Sequence, residues 1–145
     1  MKRFVTVLYA AIVVIFTQCD TLNSLPTNTS GGLFSLNGNW RLESTSDNNA
    51  LVGTVAQVFP GVDNATIKTL SNNNYCLRER DLIWRSIKNT GSGTFSIESL
   101  VSACNSATIY QPSIITVLTN DEVRITGKSV NNTDLVQTWK RVPNQ

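Results

Sequence analysis

Between residues 36 and 142 the chain is cut by clusters of turn-forming residues into eight short runs, and no window carries a 3.6-residue apolar stripe of helical length. The dividers are Asp47-Asn48-Asn49, Pro60-Gly61, Asn72-Asn73-Asn74, Asn89-Thr90-Gly91-Ser92-Gly93, Cys104-Asn105-Ser106, Asn120-Asp121 and Asn131-Asn132. Each is built from residues that tolerate or preset tight-turn backbone angles. The runs themselves, at 36–44, 51–59, 65–70, 75–87, 94–101, 108–118, 122–127 and 135–142, are rich in Val, Ile, Thr, Phe and Trp. Such side chains suit a pleated, half-buried surface. Apolar and polar residues alternate in Trp40-Arg41-Leu42-Glu43, in Thr94-Phe95-Ser96-Ile97 and in Glu122-Val123-Arg124-Ile125-Thr126. One apolar face per strand and short connections predict an all-β fold, an antiparallel meander of about eight strands closed into an up-and-down barrel or folded as a sandwich. Closure is favoured because it leaves no edge open to pairing with another chain. Pro112 lacks a backbone N–H, so a bulge or sheet edge is expected there. Residues 99–102 have room for one helical turn at most. The run Arg78-Glu79-Arg80-Asp81 reads as a charged hairpin turn rather than as a catalytic carboxylate pair.

The barrel region is preceded by a leader. Lys2 and Arg3 are followed by an apolar run over 4–16, broken only by Thr6. As a helix that run would cover roughly 20 Å, short of the ~30 Å hydrocarbon core of a bilayer. It therefore reads as the helix of a secretory signal and not as a permanent span. Thr17, Gln18 and Cys19 come next. A cysteine directly after such a run resembles the lipobox of bacterial lipoproteins, with Gln18 standing where that family prefers a small residue. The resemblance implies cleavage before Cys19, lipid on its thiol and acylation of its new amino group. The membrane is then a partner through a lipid anchor, and the protein is exported to the outer membrane, facing the periplasm or the cell surface. Several acyl chains are needed because each buried CH₂ contributes only about 0.8 kcal/mol. The plainer alternative is ordinary secretion with Cys19 as a free thiol. The division expected is a signal over 1–18, a tether over 19–35 rich in Ser, Thr and Asn, and one domain over 36–143.

Composition narrows the chemistry. The formal charge is +2, but Lys2 and Arg3 belong to the leader, so the mature chain is formally neutral. Nucleic-acid binding needs a basic face to displace counterions, and none is present. The chain has no histidine, which removes imidazole bases, Ser-His and Cys-His nucleophiles and most zinc sites. No catalytic residue, metal site or cofactor is expected. With Cys19 assigned to lipid, Cys76 and Cys104 form an even pair in an oxidising compartment. They are read as a disulfide, or else as two buried thiols acting as small apolar residues.

Residues Leu36-Asn37-Gly38-Asn39-Trp40-Arg41-Leu42 resemble the Gly-x-Trp opening strand of the lipocalin barrel, with Gly38 and Trp40 as the signature. Gln137-Thr138-Trp139-Lys140-Arg141-Val142 is similar to the closing strand of short lipocalin-like domains in Bacteroidetes lipoproteins. The resemblance spans about 36–142. It implies that Trp40 plugs one barrel end and that a basic residue packs across its ring, with Arg141 the choice and Lys140 the alternative. It also implies a small hydrophobic ligand inside the barrel, with Phe95, Ile97, Val123 and Ile125 as candidate lining. The competing expectation is a barrel filled solid, acting as a structural or interaction module that meets an envelope protein. An interior void of roughly 300 Å³ or more separates the two.

Overall fold

The computed structural model describes residues 34–48, 50–104 and 107–143. The leader, Cys19 and the chain through residue 33 lie outside the described residues. Among the described residues there are eight strands and no α-helix: β1 (Gly38–Thr45), β2 (Val55–Val58), β3 (Ala65–Thr69), β4 (Leu82–Gly91), β5 (Thr94–Ser102), β6 (Ile109–Thr119), β7 (Glu122–Lys128) and β8 (Asp134–Val142). Each strand pairs antiparallel with the next, and β8 returns to β1, closing the barrel. The predicted up-and-down barrel is therefore the fold.

Local chemistry explains the strand faces. In β7, Val123 and Ile125 are buried while Arg124 is exposed. In β1, Trp40 and Leu42 point inward and Arg41 outward. The period of two delivers one apolar row per strand to the interior. Trp84, whose neighbours are apolar on both sides, is fully buried and pairs with Ser99, another inward residue.

Five expectations about elements need correction. Residues 51–54 form a turn before β2, in which Gly53 N donates to Leu42 O and Thr54 N to Leu51 O. Residues 75–81 are not strand. They run across one end of the barrel, where Leu77 is buried and Asn73 binds its backbone through both side-chain atoms. Within this stretch Arg78–Asp81 is a turn, closed by Arg78 N on Asp81 Oδ2, but it joins no two neighbouring strands. Residues 99–102 simply continue β5. Pro112 sits in regular register opposite Glu98, and the nearby bulge falls between Leu100 and Ser102. The ladder to β7 begins only at Ile114, so Pro112 lies outside the paired residues on that flank and its missing N–H breaks no pair.

The barrel has two unlike ends. One holds the start of β1, the end of β8 and the short connections 59–64, 92–93 and 120–121. The other holds the longer connections 46–54, 70–81, 103–108 and 129–133. These are called the closed and the covered end below.

Candidate functional site: a plugged barrel with a covered mouth

At the closed end, Trp40 is wholly buried and its Nε1 donates to Leu36 O at 2.7 Å. The Arg141 guanidinium carbon lies 4.3 Å from the centre of the Trp40 ring. Such a pairing contributes about 0.5–2 kcal/mol. Arg141 also donates to the carbonyls of Asn37, Ser35 (2.8 Å) and Asn120 (3.1 Å), and lies 3.5 Å from Asp121. Partial burial lowers its pKa and Asp121 opposes that shift, but an arginine stays charged at physiological pH. Gly38 is required beneath it. Its φ is +118°, and a Cβ there would stand 3.0 Å from Arg141 Nη1. Lys140 faces outward and is exposed.

Phe34 completes this plug. Its ring lies 6.2 Å from Trp40 and 6.0 Å from Phe95, centre to centre. Residues 34 and 35 therefore belong to the barrel and not to the tether in which the sequence reading placed them. The available signal was the apolar pair Leu33-Phe34 in an otherwise polar stretch.

Above the plug the interior is filled. Trp84 and Trp139 meet edge to face with centres 5.0 Å apart and planes at 78°. Trp40, Leu42, Ala56, Ala65, Trp84, Ile115, Val123 and Trp139 retain no accessible surface. A side chain bordering a void large enough for water would retain some. Of the four candidate lining residues, Ile97, Val123 and Ile125 join this cluster, and Phe95 packs against it partly buried at the closed end. They are brought together as core packing. Trp139 Nε1 is satisfied by Gln137 Oε1 at 3.1 Å. Trp84 Nε1 has no hydrogen-bond partner among the described residues, a deficit of about 1–3 kcal/mol that the surrounding packing must outweigh.

At the covered end, Cys76 and Cys104 are joined as a disulfide spanning 28 residues. It ties the 70–81 segment to the connection after β5, and Ala103 N donates to Tyr75 O beside it. The Tyr75 hydroxyl donates to Asp47 Oδ2, linking 70–81 to the β1–β2 connection. Burial, then that hydrogen bond and the charge of Asp47, push the phenol up to about 12. At neutral pH Tyr75 is a donor and not a nucleophile. Leu51, Asn72, Cys76 and Arg80 all have positive φ, from 44° to 74°. The two connections that cover the mouth are thus held in uncommon backbone conformations by their cross-links. Beneath them lies a cleft of about 20 Å³ bordered by Thr45, Asp47, Tyr75, Ser129 and Gln137. A water fits such a space, but a metabolite does not.

No group of Asp, Glu or Cys among the described residues could hold a metal ion. Glu79 and Asp81 converge on no cleft, since the Asp81 carboxylate is turned back onto its own backbone. No family model, curated protein or solved structure matches the chain.

Proposed function

We propose that this protein is an exported lipoprotein, held to the outer membrane by acylation of Cys19, whose lipocalin-like barrel is a solid structural or interaction module of the cell envelope. The observation that carries the solid-module reading is the interior: above the Trp40 plug, Trp84 and Trp139 stand without accessible surface where a ligand would sit. An eight-stranded barrel is just wide enough to be filled by side chains or to hold one small ligand, not both. Trp84 and Trp139 use that space. The anchoring reading is supported by the leader, by Cys19 directly after it, and by the even pair left once Cys19 is set aside.

With no interior ligand, recognition falls to the outer surface and the connections. The covered end is the better candidate for meeting an envelope protein. Its disulfide and the Tyr75–Asp47 link hold a long irregular surface rigid, which lowers the ordering cost of binding. No nucleic acid, cofactor or catalytic step is part of this reading.

Native mass spectrometry of the protein taken from its own membranes tests it. The expected species carries covalent acyl mass on Cys19 and no non-covalent small molecule. A stoichiometric lipid or metabolite released on gentle activation would reject the solid module.

A further inference from the structure

Arg141 does more than cover Trp40: it fixes the direction from which the preceding chain arrives. It holds the carbonyls of Ser35 and Asn37, while Phe34 is wedged against Trp40 and Phe95. The chain therefore enters at the closed end. Gly38 pairs with Val58, so Asn37 and Phe59 leave the barrel side by side, about one strand spacing (~5 Å) apart. The connection from β2 then turns at once through Phe59-Pro60-Gly61-Val62, with Gly61 at φ +75°. Pro followed by a positive-φ Gly is the pattern of a type II turn. Turn tips are ordinarily polar. Here Phe59 and Val62 are 47% and 45% exposed, and a Cβ added at Gly61 would meet nothing within 4 Å. An aromatic and a branched aliphatic side chain thus project from the tip, beside the point where the tether arrives.

We propose that the Phe59–Val62 turn is a membrane-contact site, inserting its two apolar side chains into the interface of the bilayer that holds the anchor. The proposal rests on the lipoprotein reading above. The chain between Cys19 and Phe34 supplies the argument for a bilayer as the occupant. Whatever its conformation, a segment of that length can reach at most about 50 Å, so it confines the turn to the neighbourhood of the bilayer. A contact too weak to recruit the domain from solution becomes populated when it is intramolecular. The rest of this rim is compatible with a lipid surface. The hairpin tip Gly91-Ser92-Gly93 carries no charge, and Asp121 is paired with Arg141. Asp63 and Glu122 on this end are matched in number by Lys88 and Lys140, and Lys140 stands opposite Glu122 in the β7–β8 register. The contact is therefore apolar in character and insensitive to salt.

The test places an environment-sensitive dye on Val62→Cys, or on Asn131→Cys at the opposite end, in the full mature chain. Vesicles are phosphatidylethanolamine and phosphatidylglycerol with a nickel-chelating lipid, and the chain carries Cys19→Ser with a hexahistidine run at its start. That arrangement tethers the domain at the same point without acylation. Failure of lipidation, read from intact mass, is thus distinguished from failure of insertion. On tethering, dye at position 62 should brighten several-fold, shift to the blue and be quenched by brominated lipid, at low and high salt alike. Dye at position 131 should not change, and Phe59→Ser should remove most of the response at 62. Water-like emission at 62, or equal responses at both ends, overturns the proposal. So does a response that appears only when envelope proteins are added to the vesicles, which would make the turn a protein-docking site.

Discussion

Arg141 is the side chain on which most of the closed end converges. It lies over Trp40 and donates to three backbone carbonyls. Arg141→Ala should cost about 2–3 kcal/mol, from the lost cation–π contact and the charge-assisted hydrogen bonds. It would appear as a lower urea midpoint at unchanged slope. Arg141→Lys should recover less than half, because an ammonium cannot reach acceptors on both sides of the ring as a planar fork does. Tyr75 makes a prediction of opposite character. Its folded pKa of about 12 lies above the ordinary phenol value of 10.0, so the folded state holds its proton more tightly than the unfolded chain. The contribution is complete below about pH 10 and is lost as pH rises toward 12. Tyr75→Phe should flatten the fall in stability across that window and, at neutral pH, should cost about 1 kcal/mol from the lost hydrogen bond to Asp47. Urea midpoints at a series of alkaline pH values read both variants.

At the scale of elements, the barrel is stapled where its chain is least regular. The disulfide joins cysteines 28 positions apart in sequence, so replacing Cys76 and Cys104 by Ser should cost on the order of 3–4 kcal/mol. The loosening should concentrate in 70–81 and 103–108, seen as faster amide exchange there while β1, β7 and β8 stay protected. Intact mass without reductant should fall two daltons below the dithiol form. How well the elements could be read follows from the same contrast. Strands with strict alternation, such as β7 with Val123 and Ile125, were legible because a period of two has one physical meaning. The 75–81 stretch contains Tyr75, Leu77 and Cys76, which look strand-like. It is instead a cover whose shape is set by a cross-link and side-chain bonds distant in sequence. Phe34 was half visible: the pair Leu33-Phe34 marks an apolar point in the sequence, but only the folded barrel shows that Trp40 and Phe95 leave a place for its ring. The site was legible to the extent that Gly38, Trp40 and Arg141 share a motif whose parts meet across the β1–β8 seam. The four proposed lining residues lie in the interior, but their sequence carried no information on whether that interior was hollow. That depends on Trp84 and Trp139, whose stacking no local pattern encodes.

For the whole molecule, two properties define the account: where it is held and whether it is solid. On the proposed anchoring, Cys19→Ser should release the protein from the membrane fraction into the soluble fraction, and a variant that stays bound would contradict lipid anchoring at Cys19. Solidity can be read from the protein's own fluorophores, because Trp40, Trp84 and Trp139 are its only tryptophans and all three lie in the interior. An apolar molecule seated in the middle of the barrel would displace or contact Trp84 or Trp139. The most direct measurement is therefore tryptophan emission of the purified barrel titrated with fatty acids, sterols and small apolar dyes. A filled barrel predicts an emission spectrum that does not change at any ligand concentration below that which unfolds the protein. A saturable quench or shift, with the fold intact by circular dichroism, would contradict it.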